Sequence, residues 1–132
     1  MSEQKAKAIN FASKIVTLIP NDKLVKDASK IMSDNGISQM PVINKNGQTI
    51  GSIKEKSILN KLLEKGQEIL NKTIQSVMEP KIPEMPISTT IDEAKKMLLE
   101  HDAILITDED KIAGILTKID IIKAYSERAF SD

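Results

Sequence analysis

The run Gly114-Ile115-Leu116-Thr117-Lys118-Ile119-Asp120 holds the residues best suited to chemistry in this chain. Strand-like apolar spacing gives way to helical spacing at Thr117, so Thr117 and Asp120 fall one turn apart at a helix start. Free backbone N–H groups and the helix dipole favour an anion such as phosphate at that end. A carboxylate one turn further in is an acceptor for hydroxyl groups. The same Thr-x-x-Asp spacing is also a capping arrangement, in which both side chains serve the helix's own donors. Capping and binding are compatible, and the spacing leaves both open. Sixty-three residues upstream the run reads Gly51-Ser52-Ile53-Lys54-Glu55-Lys56-Ser57, with lysine and serine in place of the hydroxyl and the carboxylate. Lys54 can attract a phosphate, although a first-turn lysine is ordinarily solvated.

Other chemistry is sparse. The single histidine, His101, has no nucleophile beside it in sequence, so no catalytic triad is formed and no enzymatic activity is expected. Positive charge at a helix end makes a surface cap the simpler role for His101. Cysteine is absent, which removes disulfides, thiolate nucleophiles and zinc clusters and suits the cytoplasm. Asp108-Glu109-Asp110 lacks the alternating ligand spacing of a calcium loop and reads as a solvated turn. Met32, Met40, Met78, Met85 and Met97 read as core and cleft lining rather than as a metal site. Neither a metal nor a cofactor is expected.

The elements that must position Thr117 and Asp120 come as a duplication. Val25-x-x-Ala28-x-x-Ile31-Met32 matches Ile91-x-x-Ala94-x-x-Met97-Leu98, and the apolar runs Met40–Ile43 and Ala103–Ile106 precede the two glycine-led phrases. Asn35-Gly36-Ile37 has no counterpart in the second copy. A repeat this long implies paired supersecondary units that cannot bury their apolar faces alone.

In the first copy the β-branched run Lys14–Ile19 predicts a strand, turned by Pro20-Asn21-Asp22. Asn21 or Asp22 would N-cap a helix whose stripe is Leu24, Val25, Ala28, Ile31 and Met32, and Asn35-Gly36 would end it. A strand at Met40–Ile43, a hairpin turn at Asn44–Gly47, a strand at Thr49–Ile53 and a helix at Glu55–Glu64 complete the copy. In the second, Pro80, Pro83 and Pro86 hold an extended lead to Ile87, and Thr90-x-x-Glu93 is a capping box for a helix at Ile91–Glu100. A hairpin joins Ala103–Thr107 to Lys111–Leu116, and a last helix runs from Lys118 to about Ala129. Each copy thus reads β-α-β-β-α, an α+β fold with helices on one face of a small sheet. The expected division is a polar lead-in at 1–13, a first repeat at 14–65, a linker at 66–72 and a second repeat at 73–130.

Lysine plus arginine and aspartate plus glutamate both count 19, so no overall field favours nucleic acid or an acidic membrane. The aromatic residues are Phe11, Tyr125 and Phe130, too few to stack single-stranded bases. The leading residues lack the apolar segment of a signal peptide, and no run reaches the roughly 20 apolar residues of a membrane span. No direct nucleic-acid or membrane contact is expected. Apolar stripes at Leu59-Leu62-Leu63 and Ile122-Tyr125 on the helices predict self-association, most simply a homodimer.

The phrases Gly36-Ile-Ser-Gln-Met-Pro-Val-Ile43, Gly51-Ser-Ile-Lys-Glu-Lys, Ser76-Val-Met-Glu-Pro80 and Gly114-Ile-Leu-Thr-Lys-Ile-Asp120, in this order and duplication, resemble a tandem pair of cystathionine-β-synthase (CBS) domains, a Bateman module. The resemblance covers about residues 12–126 and is similar to the CBS region of archaeal regulators. It implies two pseudo-symmetric repeats packed sheet to sheet, with clefts that bind adenosine-containing ligands (AMP, ADP, ATP or S-adenosylmethionine type). It implies a regulatory module that rarely catalyses anything, acts on a protein partner and often dimerises.

The family's nucleotide signature stands complete in the second copy. By that resemblance Thr117 would meet phosphate and Asp120 both ribose hydroxyls. Gly114 would permit close approach, and Ile115 and Leu116 would flank the base. The far wall would come from the other copy, through Ile15, Val16 and Thr17 on its first strand and through Gln39, Met40 and Pro41. Lys54 and Ser57, faced by His101 and Asp102, would form a weaker second site, because serine cannot replace a diol-binding carboxylate. Two alternatives stay open: a structural dimerisation module with a degenerate pocket, and the sensory half of a transcription regulator whose DNA-binding part lies elsewhere.

Overall fold

The computed structural model describes residues 6–127. Phe130 and the expected helix end at Ala129 lie outside the described residues. The chain packs as two compact units, one of residues 17–81 and the other of residues 6–16 together with 82–127.

The unit of residues 17–81 contains β1 (Ile19–Pro20), α1 (Val25–Asn35), β2 (Gln39–Ile43), β3 (Thr49–Lys54) and α2 (Glu55–Lys65), then a 3-10 turn at Gln67–Asn71 and the short α3 (Ile74–Val77). β1 runs parallel to β2, and β2 antiparallel to β3. The expected β-α-β-β-α order is present. The first strand is shorter than the Lys14–Ile19 run suggested, since only Ile19 and Pro20 pair with β2.

Val25, Ala28 and Met32 on one face of α1 are buried with Ile19, Met40, Val42, Ile53 and Ile58. Gly36 ends α1 at φ 62°, where only glycine is unstrained. Its N–H donates to the Ser33 carbonyl (3.3 Å) and that of Ile37 to Met32 (3.0 Å), the two bonds of a Schellman motif. The other end departs from expectation. Neither Asn21 nor Asp22 caps α1, because Asn21 is occupied with Gln75, to whose Oε1 its amide donates at 2.6 Å. Leu24 holds the cap position, and Asp27 turns back to accept its N–H at 2.9 Å.

The second unit contains β4 (Glu84–Pro86), α4 (Ile91–Leu98), β5 (Ala103–Asp108), β6 (Lys111–Thr117) and α5 (Lys118–Ser126), in the same topology. Thr90 and Glu93 form the expected box: Glu93 N–H donates to Thr90 Oγ1 (3.2 Å), and Thr90 N–H donates to Glu93 Oε1 (2.9 Å). These bonds from Thr90 hold the Glu93 carboxyl below the usual carboxylate range. The box therefore stabilises above the ordinary carboxylate pKa and fails only as pH falls through the lowered value.

Glu109 and Asp110 turn β5 into β6, both at positive φ (50° and 67°). The right-handed twist of a two-residue hairpin demands this conformation, and side chains other than glycine pay for it. Asp110→Gly should raise the unfolding free energy by about 1 kcal/mol, read as a higher urea midpoint at unchanged slope. An unchanged or lower midpoint would refute strain at this turn.

The leading segments are exchanged between the repeats. Residues 72–79, which open the second repeat, pack on the first: Lys72 O accepts Val25 N–H, and Ser52 and Glu79 exchange two bonds at 2.9 and 2.8 Å. Residues 6–13 do the same on the second. Ala6 O accepts Ile91 N–H (2.8 Å), Ala8 N–H donates to Thr89 O (2.9 Å), and Ser13 and Ile115 exchange two bonds at 2.9 Å. Ala6 and Ala8 are buried there, with Ile9, Phe11 and Ala12 packed alongside. The polar lead-in is therefore a structural strap. Its small residues fit where no helical or strand periodicity announces them.

Candidate functional site

β6 delivers Thr117 to the first position before α5, and the helix carries Asp120 one turn on. Both are half-buried. The Asp120 carboxylate accepts the Thr117 backbone N–H at 2.8 Å and the Thr117 hydroxyl at 3.1 Å. Both bonds land on Oδ2, which leaves Oδ1 outside the cap. Capping and acceptance of an outside hydroxyl can therefore coexist on one carboxylate.

Strand alternation divides the neighbours. Leu116 has no exposed surface and packs among Ile91, Ala94, Ile104 and Ile106, whereas Ile115 is half-buried on the opposite face. Of the two, Ile115 is the one not enclosed in that core. Gly114 is buried beneath the strap: a Cβ built there would lie 2.9 Å from Ser13 O and 3.2 Å from Ala12 Cβ. Gly51 has the same surroundings in the other unit, 2.6 Å from Met78 Sδ and 2.8 Å from Glu79 O. The close approach at both glycines is made by a strap of the chain itself.

Ile15 and Val16 follow Ser13, which is bonded to Ile115, so they belong to the same unit as Thr117 and Asp120 and not to the other copy. Residues 14–18 lie outside the named strands, because the strap ends at Ser13 and β1 begins at Ile19. Val16 packs near Ile82, Leu105 and Ile115, while Ile15 is exposed. Ala103 pairs with Thr117, which puts His101 and Asp102 beside the start of α5. Lys118, to which the sequence assigned no role, ties them there by donating to His101 O (2.8 Å) and pairing with Asp102 (3.5 Å).

Thr17, Gln39, Met40, Pro41, Lys54 and Ser57 lie in the unit of residues 17–81. Gln39 pairs with Lys54 in the β2–β3 ladder, and Met40 is part of that unit's core. α2 has no side-chain cap, so Lys54 and Ser57 do not reproduce the Thr117–Asp120 arrangement. Among the described residues, no group of three or more histidine, aspartate or glutamate side chains could hold a metal ion, and no helix is long and apolar enough to cross a membrane.

Two β-α-β-β-α units, each with a glycine-led strand running into a helix, define a tandem-repeat module. Residues 6–64 and 74–127 match the CBS domain, and the chain belongs to that family. CBS pairs are regulatory modules. A protein of Methanocaldococcus jannaschii is 24% identical over 127 residues, covering 86% of this chain and 30% of its own length. The A-adding tRNA nucleotidyltransferase of Aquifex aeolicus is 29% identical over 105 residues, covering 78% of this chain and 12% of its own length. The chain thus spans less than a third of either relative. Among solved structures, the CBS-domain protein ATU1752 of Agrobacterium tumefaciens superimposes with a TM-score of 0.84 at 15% identity, covering 95% of this chain and 97% of its own. CBSX2 in complex with AMP superimposes with a TM-score of 0.78 at 21% identity, covering 94% of this chain and 98% of its own.

Proposed function

We propose that this chain is a cytoplasmic regulatory module that senses an adenosine-containing nucleotide through Thr117 and Asp120, and that it acts by binding, not catalysis. The observation that carries the reading is the Asp120 carboxylate, half-buried at a helix start with Oδ1 outside its cap. Family membership adds to it, as does the AMP complex of CBSX2, which has the same fold. Ile15 and Val16, in the same unit, are the proposed remainder of the site. A ligand would act by preferring one packing of the module or its partner over another, since equal affinity shifts nothing.

Lys54 and Ser57 provide no carboxylate, so one site per chain is expected. Calorimetric titration with AMP, ADP, ATP and S-adenosylmethionine should give a stoichiometry near one for at least one of them. Two equal sites would refute the assignment to the second repeat. No heat with any of them would favour the second reading, a dimerisation module.

That reading draws on the exposed apolar side chains Leu59, Leu63, Ile119 and Ile122. Leu59 and Leu63 lie one turn apart on α2, and Ile119 and Ile122 one turn apart on α5, and exposed apolar stripes of this kind mark an interface. A homodimer is proposed under either reading, with a mass near twice 14.6 kDa by light scattering at tens of micromolar. A monomeric mass there would exclude it.

A further inference from the structure

The two straps occupy equivalent places but are not secured equally. On the first repeat, Ser52 holds its strap by more than the backbone pair, because its buried hydroxyl donates to Pro80 O at 2.7 Å. Lys61 adds an ion pair to Glu79 at 3.6 Å. On the second repeat Ile115 stands for Ser52, Ala124 for Lys61 and Ser13 for Glu79. Ile115 has no hydroxyl and Ala124 no charge, so neither tie is repeated. The polar side chains at the end of this strap turn back on its own stretch of chain instead. Ser13 Oγ donates to Ile15 O (3.1 Å), and Lys14 Nζ donates to Ile9 O (2.6 Å). Residues 6–13 are held by the backbone bonds of Ala6, Ala8 and Ser13, by small apolar contacts, and by an exposed bond from Lys7 Nζ to Ser88 O (3.2 Å).

The less secured strap is also the one that reaches the candidate site. Ser13 accepts the Ile115 N–H and donates to the Ile115 carbonyl, two residues before Thr117. Docked, it gives β6 a neighbour on the edge away from β5, just before the strand hands Thr117 to α5. Ile15 and Val16 follow Ser13 directly, and Val16 packs in the cluster that holds Ile115. Release of Ser13 would leave Thr117 on a strand paired on one side only, and would free Ile15 and Val16 to leave it.

We infer that the strap of residues 6–13 is the element through which nucleotide occupancy at Thr117 and Asp120 is expressed. The ligand binds the strap-docked form more tightly and so holds the strap down; its departure lets the strap lift. The inference rests on the nucleotide reading above and names the regulation of that site. A ligand that needs Thr117 fixed, with Ile15 and Val16 beside it, meets a preformed site only when the strap is docked, and its apparent affinity falls with the docked fraction. Linkage makes the effect reciprocal: the factor that docking adds to affinity is the factor that ligand adds to docking. A lifted strap bares Ile9, Phe11 and Ala12, which distinguishes the ligand-free form.

Amide hydrogen exchange on the intact chain tests this, with and without whichever of AMP, ADP, ATP and S-adenosylmethionine gives binding heat. The Ile91 and Ile115 N–H groups donate to Ala6 O and Ser13 O, at the two ends of the strap. Both should slow by about fivefold or more on saturation. The Val25 and Ser52 N–H groups, held by Lys72 O and Glu79 O of the other strap, should not change. Slowing at Ile115 alone would reduce the effect to a local contact and overturn the inference. Equal slowing at all four amides would also overturn it, because that is the mark of general stabilisation by a ligand. Ser13→Pro removes the donor to Ile115 O and alters neither Thr117 nor Asp120. It should speed exchange at Ile91 and weaken nucleotide binding severalfold; fast exchange with unchanged affinity would overturn the coupling. If that variant does not fold, exchange in the unaltered chain still decides. Absence of heat with every ligand would sink the nucleotide reading and this inference with it, whereas heat without slowing at Ile91 sinks the inference alone.

Discussion

Deletion of residues 1–13 should remove the cooperative unfolding of the second repeat, although the deleted stretch is mostly polar. Ala6 and Ala8 are buried in that unit's core, and Ile9, Phe11 and Ala12 pack against it. Without them the Ile91 and Ile115 N–H groups lose the Ala6 and Ser13 carbonyls. A buried donor left unsatisfied costs about 1–3 kcal/mol. With the apolar contacts added, the expected loss is on the order of 5 kcal/mol, comparable with the whole stability of a domain this size. Urea unfolding should show a shallow transition, and hydrogen exchange should accelerate at Ile91 and Ile115 while the amides of Met40 and Val42 stay protected. A deletion variant with an unchanged midpoint would mean that the strap is dispensable.

Asp120→Ala should weaken nucleotide binding strongly and the fold slightly. Loss of a charge-assisted acceptor costs about 1.5–3 kcal/mol, a fall in affinity of roughly tenfold to a hundredfold or more. The same change removes the acceptor of the Thr117 N–H and hydroxyl, and losing such a cap costs about 0.5–2 kcal/mol of stability. Asp120→Asn separates the two effects, since its amide oxygen can still accept the Thr117 N–H but carries no charge. It should keep most of the stability and lose most of the binding. Ser57→Ala should change neither, and Lys54→Thr with Ser57→Asp should add a second, weaker site. Equal losses of binding from Asp120→Ala and Ser57→Ala would overturn the site assignment.

Much of the fold is legible in the sequence because its punctuation is local. Gly36, the Asn44–Gly47 turn and the Thr90–Glu93 box each act within a few residues, and each stands where its residue types require. Gly47 has φ 78°, and Asn44 Oδ1 accepts the N–H groups of Asn46 and Gln48. The α1 cap misled because Asn21 and Asp22 are good caps in isolation, whereas Asn21 is engaged by Gln75, more than fifty residues away. Asp27, an acidic residue in the first turn, was the available signal.

The straps were hidden for another reason. Their partners are distant, and alanines that fill a tight space resemble alanines that fill none. The offset of 66 residues that relates Val25 to Ile91 also carries Lys7 to Thr73 and Ser13 to Glu79, so extending the repeat backwards would have revealed them. At the candidate site, Thr117 and Asp120 were legible from their spacing. The burial of Leu116 also follows from strand alternation, given that Ile115 faces the other way.

The exchanged straps have a consequence for the order in which the protein is made. Residues 17–81 are contiguous, so this unit can close as soon as Lys81 has left the ribosome. The strap of residues 6–13 emerges before the first repeat but matches a core whose other elements are synthesised after that repeat. It must wait through the whole first repeat, with Ala8, Ile9 and Phe11 exposed to whatever is nearby. Contacts between residues so far apart in sequence form slowly, because the intervening loop must close before they contribute. The strap, made before both repeats, is therefore among the last segments to settle, and a chain interrupted anywhere in the second repeat leaves the strap without its partner strand and helix.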